Sequence, residues 1–122
     1  MKETIASIIQ WHEQTFPDAT LEGQIEKWFD EEREFKKTIQ GTEEEIYELA
    51  DLVIVSAGIM RFDYGCGFDS LARTLQYMIN SDYIGTMLWS AVEYKMAINR
   101  KRKWSVGKGN YQHISEGEEN VE

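Results

Sequence analysis

The sequence predicts an all-α protein, a four- to five-helix bundle, and three observations carry that reading. Its 122 residues include a single proline, Pro17, and few β-branched runs in strand alternation. Apolar residues recur three and four apart over several stretches, which is the spacing of one helix face. Thr20 and Thr42 stand where helices start, and Pro17 and Gly41 where they stop. An apolar share of 42% with a full set of Trp, Tyr and Phe fits a folded chain. The length suits one core rather than two.

The first helix is predicted over Glu3 to about Thr15, with Ile5, Ile8, Ile9 and Trp11 as its apolar surface. Phe16-Pro17-Asp18 ends it, because a residue before proline is pushed out of the α region. Thr20 then caps a second helix from Leu21 to about Gln40. Its stripe is Leu21, Ile25, Trp28, Phe35 and Ile39, with Phe29 at one edge and Gln24, Lys27, Glu31 and Glu34 at the other. Glu32 falls inside the stripe, where a charge requires a basic partner from another helix or a wet interface.

Gly41 is a natural stop, and Thr42-Glu43-Glu44-Glu45 reads as a capping box for a third helix reaching about Phe62. From Leu52 to Met60 that helix is apolar on every face except at Ser56, so it is expected to be buried on every face. Asp63-Tyr64-Gly65-Cys66-Gly67 reads as a loop, and a fourth helix follows over Ser70–Ile79. After a break at Ser81 and Asp82, a last helix from Tyr83 to about Lys103 should bury Ile84, Met87, Leu88, Ala91, Val92 and Ile98. The division is therefore a helical domain over 1–104 and a glycine-rich, then acidic, partly disordered extension over 105–122.

Charge and composition exclude several classes. A net charge of −9 argues against binding a nucleic-acid polymer. No run approaches the roughly 18 apolar residues of a membrane span. One cysteine, Cys66, forbids an internal disulfide, and no signal peptide is visible; the expected location is cytoplasmic. Cys66 has no partner pattern for catalysis and reads as structural.

The charges are unevenly laid out. Ten of the 22 acids fall between Glu26 and Asp51, and five cations fall within Lys95–Lys103. Glu31 with Glu34, and Glu48 with Asp51, are i,i+3 pairs on consecutive helices, each a two-pronged acidic face. Facing each other across the turn, they would converge as four carboxylates. Glu48 and Asp51 sit one turn from an apolar surface, where uncompensated charge is costly. All-oxygen ligation selects Mg²⁺, Mn²⁺ or Ca²⁺. A di-iron bundle would want Glu-x-x-His, and neither His12 nor His113 follows a Glu at that spacing.

Lys95, Asn99 and Arg102 share a face by i,i+4 and i,i+3 spacing, with Trp104 just beyond, so they could hold phosphate oxygens. An ordinary cationic helix C-terminus explains part of the same segment. His12 reads either as a satisfied boundary residue or as a group that meets a ligand.

The acidic motifs resemble those of the MazG-like, all-α nucleoside triphosphate pyrophosphohydrolase superfamily, possibly of a phage type. Its EExxE segment here reads Asp30-Glu31-Glu32-Arg33-Glu34, and its ExxD segment reads Glu48-Leu49-Ala50-Asp51. The closing Asn99-Arg100-Lys101-Arg102-Lys103-Trp104, with Lys95 before it and Gly109–His113 after it, is similar too, so the match spans roughly Trp11 to His113. Asp30 replaces the first Glu, Glu32 takes a usually apolar position, and Phe35 stands where the family has an aliphatic residue.

The resemblance implies a helical bundle of that type, completed as a homodimer or homotetramer. It implies Mg²⁺, with Mn²⁺ as a substitute, held by Glu31, Glu34, Glu48 and Asp51, with Glu31 and Glu34 in catalysis. Water would attack the α-phosphorus of a nucleoside triphosphate and release pyrophosphate, Lys95 and Arg102 neutralising the leaving group. Trp11, Trp28 and Trp104 could stack on a base, while Lys27, Gln24, Asn99 and His12 are further substrate-binding candidates. Two alternatives stay open: a non-catalytic helical module with an acidic docking face, and a dUTP/dUDP-type diphosphohydrolase.

Overall fold

The third helix is the axis on which the other helices are laid. The computed structural model describes residues 2–81, 85–106 and 111–114, with side chains for 2–81 and 87–104. The chain runs α1 (Ile5–Thr15), α2 (Leu21–Lys36), α3 (Glu43–Met60), α4 (Tyr64–Asn80) and α5 (Gly85–Lys101). Two short strands follow, β1 (Lys103–Val106) and β2 (Tyr111–Ile114). Each of α1, α2, α4 and α5 packs against α3. Residues 49, 50 and 52–60 of α3 are all buried, as an apolar circumference demands. No helix among the described residues is long and apolar enough to cross a membrane.

Local chemistry sets the helix starts. Thr4 caps α1 through a reciprocal box with Ser7, and the Thr20 hydroxyl accepts from the Gly23 N–H at 3.0 Å to open α2. α1 is then fastened to α5. Arg100 holds the buried Glu3 carboxylate at 2.8 and 2.9 Å, and the Trp89 indole donates to the Glu3 carbonyl at 3.1 Å. The Arg100 hydrogen bond holds the Glu3 carboxyl below its ordinary value.

Several boundaries differ from the sequence expectation. α2 stops at Lys36, short of Gln40, because the Thr38 hydroxyl takes the Phe35 carbonyl at 2.6 Å and competes with helical bonding. Ile39 therefore leaves the stripe and stands exposed. Gly41, with φ 87°, turns the chain instead of ending the helix. Thr42 is the N-cap of α3 without a side-chain capping bond; the Glu45 carboxylate instead accepts the Gly41 N–H at 2.9 Å.

The expected loop over Asp63–Gly67 is the first turn of α4. The Asp63 carboxylate caps it by accepting from the Cys66 N–H at 3.0 Å. Gly67 sits there for closeness, since a Cβ would lie 2.8 Å from the Met60 backbone. The Cys66 side chain is exposed. α5 ends at Lys101, two residues earlier than expected, and Met87 is exposed rather than buried. The expected disordered extension begins with antiparallel pairing, Trp104 opposite His113 and Val106 opposite Tyr111. Ile84, the start of the last helix at Tyr83 and the remainder of the extension lie outside the described residues.

Candidate functional site

α2 and α3 run back across the Gly41 turn, and their acidic faces meet. One oxygen from each of Glu31, Glu48 and Asp51 lies within 4.8 Å of the others. This trio lines a cleft of about 300 Å³ bounded by α1, α2, α3, α5 and the start of β1. The convergence has three members rather than four among the described residues. Glu34 borders the cleft but leans toward Lys37 at 3.5 Å and stays exposed. Asp30 pairs with Arg33 at the surface and is no part of the trio.

The trio is electrostatically unsatisfied. Glu48 Oε2 is buried and has no hydrogen-bond partner. Burial, then the charges of Asp51 and Glu31, push the Glu48 carboxyl up to about 7. Burial pushes Asp51 up to about 6, although Lys95 Nζ, 3.3 Å from its Oδ2, works against that rise. Lys27 reaches Glu31 at 3.9 Å from one turn earlier on α2. Two lysines against three converging carboxylates leave net negative charge in a partly dry site. Three oxygen donors with an orphaned buried oxygen fit a hard divalent cation of the Mg²⁺, Mn²⁺ or Ca²⁺ class.

The other end of the cleft is aromatic and amide-rich. Trp11, Phe16 and Trp104 meet edge to face, with centroids 5.0 to 6.2 Å apart. Asn99 is buried on α5 and accepts from Arg102 Nη1 at 3.5 Å, while the Trp104 indole donates to the Asn99 carbonyl at 3.4 Å. Arg102 thus borders the cleft at the Asn99 end.

His12 and Gln24 form the cleft's inner wall, and both are buried. Arg61 Nη1 lies 3.1 Å from His12 Nδ1 and also donates to the carbonyl of Phe16 at 2.7 Å. A guanidinium can only donate, so Nδ1 accepts and the ring proton resides on Nε2. Burial, opposed by the Gln24 side-chain hydrogen bond, pushes the imidazole down to about 4, so it is neutral at ordinary pH. His12 is both a satisfied residue and a wall of the cleft.

Every residue named from the sequence as a candidate ligand or substrate contact, Trp28 excepted, borders this one cleft. Trp28, offered only as a stacking surface, does not: it is buried and donates to Ser56 Oγ at 3.1 Å. Glu32 is answered from α4, where Arg73 Nε lies 3.0 Å away and the Tyr77 hydroxyl donates at 2.6 Å.

Sequence reasoning missed Arg61, Phe16 and Gly58. Arg61 is the first cation after the apolar run of α3, a visible signal. Gly58 lies within that run because a Cβ would stand 2.9 Å from Gln24 Oε1 and from the His12 ring.

No family model, curated protein or solved structure matches the chain. The site's chemistry rests on its own geometry.

Proposed function

We propose that this chain is a Mg²⁺-dependent hydrolase that converts (deoxy)nucleoside triphosphates to nucleoside monophosphate and pyrophosphate. The observation that carries the reading is the carboxylate trio with its orphaned oxygen, beside Lys95 and at one end of a cleft whose other end is aromatic. A triphosphate needs a cation and ammonium groups at one end and a flat apolar slot with hydrogen-bonding edges at the other. The cleft offers both. The likeness of the two acidic segments to the MazG-like superfamily supports the same reading, as does the matching placement of Lys95, Asn99 and Arg102.

Glu31, Glu48 and Asp51 would hold the cation, with Glu34 closing the set from the rim. When bound, Mg²⁺ (or Mn²⁺) screens the phosphate charge and lowers the pKa of water. Lys27, Lys95 and Arg102 bind phosphate oxygens and orient the chain of anhydrides for in-line attack. Glu34, on the Glu31 side of α2 but outside the trio, would turn from Lys37 to accept the proton of the attacking water. The oxygen–Pα bond to pyrophosphate breaks as the water oxygen bonds to Pα. Trp11 and Trp104 flank the base, and Gln24, Asn99 and His12 meet its edge. The enzyme works in the cytoplasm as a homodimer or homotetramer.

The deciding experiment incubates the protein with each common NTP and dNTP plus Mg²⁺ and resolves the products. Monophosphate with pyrophosphate, abolished by chelator, is the expected result. Hydrolysis of both dUTP and dUDP to dUMP would favour the diphosphohydrolase variant. No turnover with either Mg²⁺ or Mn²⁺ would overturn the enzymatic reading in favour of an acidic docking module.

A further inference from the structure

We infer that Arg61, which stands behind the cleft without lining it, is a positioning residue for base selection. Through His12 it turns the Gln24 amide so that its N–H groups face the substrate. The cleft then favours bases that present a ring carbonyl there over bases that present an amino group. The base assignment rests on the hydrolytic reading, whereas the orientation of the two side chains does not.

The relay starts at the end of α3. Arg61 is the C-cap residue of that helix, and its guanidinium lies over the Phe62 ring, 4.6 Å from the centroid. Nη1 donates to the Phe16 carbonyl at 2.7 Å and lies 3.1 Å from His12 Nδ1. A guanidinium offers no acceptor, so Nδ1 takes the hydrogen bond and the ring proton is left on Nε2. The ring also hydrogen-bonds the Gln24 side chain, and that bond favours the protonated imidazole, so the ring donates and the amide accepts. Of the two ends of an amide only the oxygen can accept. Gln24 Oε1 and His12 Nε2 converge on the bare Cα of Gly58, each 2.9 Å from where a Cβ would stand.

With Oε1 committed to His12, Gln24 offers the cleft its Nε2 hydrogens. No protein acceptor for Nε2 is found among the described residues. Glu48 Oε2 is their one buried side-chain atom without a partner, so Nε2 is reached from the cleft. Asn99, the other amide of the cleft, turns its oxygen to Arg102 Nη1 at 3.5 Å. The base end of the cleft therefore presents donors.

A free glutamine amide pairs bidentate with adenine, its oxygen taking the amino group and its nitrogen serving a ring nitrogen. Here the oxygen is engaged. A carbonyl on the base accepts from Nε2, whereas an amino group in its place sets donor against donor. Both are then unpaired in a wall where Gln24 is 2% exposed. Without Arg61 the ring is free to carry its proton on Nδ1. Nε2 then accepts, and the amide turns over to show Oε1 to the substrate. A residue outside the cleft thus sets the polarity inside it.

The test joins two measurements on the full chain. One is turnover of dUTP, dCTP, dITP and dATP with Mg²⁺; the other is the ¹⁵N resonances of the His12 ring without nucleotide. Within the pairs dUTP/dCTP and dITP/dATP, a carbonyl replaces an amino group at one ring position and the nitrogen beside it gains a proton. Wild type is expected to favour the carbonyl member by at least about tenfold in kcat/KM, in the pair it turns over faster. Arg61→Met should bring that ratio close to one, and Arg61→Lys, which keeps a donor, should restore it. Gln24→Glu, which can only accept, should invert it, and this variant decides the matter if Arg61→Met does not fold. The ring should carry its proton on Nε2 in wild type and divide it between both nitrogens in Arg61→Met, with far-UV circular dichroism unchanged. A wild-type ratio of one or below, or a ratio that survives Arg61→Met, would overturn this inference and leave the hydrolytic reading standing. A wild-type ring protonated on Nδ1 would overturn it with or without turnover. No turnover of any common nucleotide, with Nε2 protonated, would instead sink the hydrolytic reading and take the base assignment with it.

Discussion

Glu48 and Asp51 are held in the fold at a cost, and pH sets how large it is. Each carboxyl is raised, to about 7 and about 6, above the ordinary carboxylate range near 4. A raised folded-state value means that the folded protein binds protons that the unfolded chain has already released. The associated stability is complete below about pH 4 and is lost as pH rises through 6 to 7. In chelator, the melting temperature should therefore fall between pH 5 and 8, and Glu48→Gln should flatten most of that decline. A decline unchanged in Glu48→Gln would assign it elsewhere. His12 has the opposite sign. Its value near 4 lies below the ordinary 6.5, so stability is lost as pH falls through 6.5 toward 4. Its imidazole resonances should stay those of a neutral ring from pH 8 to 5. At the same scale, Asp51→Asn should lower kcat by at least about 10²-fold if the trio holds the cation, with far-UV circular dichroism unchanged.

Among the elements, α3 shows what was readable from the chain. An apolar circumference at Leu52–Met60 with two acids one turn away pointed to a helix buried on every face and to a candidate site beside it, because burial of charge needs a reason. Glu32 was readable only in part: a charge inside a stripe left open a basic partner or a wet interface, and α4 supplies the partner, Arg73. The start of α4 was not readable, since its two glycines mimic a loop when only the chain is in view. Packing against Met60 explains Gly67, and packing is not written in local propensity. The end of α2 failed for a related reason, a single Thr38 hydroxyl outbidding the helix for one carbonyl. The rim position of Glu34 was beyond spacing as well. An i,i+3 pair fixes the face of a helix, whereas the choice between Lys37 and the cleft is made by a flexible side chain in solvent.

Gly58 joins element to site. Gly58→Ala should push Gln24 and His12 from the cleft wall, costing about 1–3 kcal/mol by overpacking. If the wall reads the base, KM should rise more than kcat falls. A Gly58→Ala protein with unchanged melting and kinetics would show that the wall relaxes freely.

On the scale of the whole molecule, two of the three clustered carboxylates, Glu48 and Asp51, are set into the helix that every other helix uses as its support. An ion bound to Glu31, Glu48 and Asp51 would cross-link α2 to α3 and relieve the repulsion that raises Glu48. Its stabilisation should accordingly reach the entire cooperative unit rather than one loop. At a hundredfold excess over the dissociation constant, a ligand that binds only the folded state contributes about 2.7 kcal/mol. For a domain of this size that corresponds to a rise in melting temperature of roughly 8–15 °C. Mg²⁺ or Mn²⁺ should produce such a shift in a single transition at pH 8. The shift should shrink toward pH 5, where protons compete for Glu48 and Asp51, and it should be absent from Glu48→Gln. The reverse pattern, equal stabilisation by Na⁺ at matched ionic strength, would reduce the effect to screening of an acidic surface. Because this measurement needs no nucleotide, it separates the cation site from the reaction proposed for it.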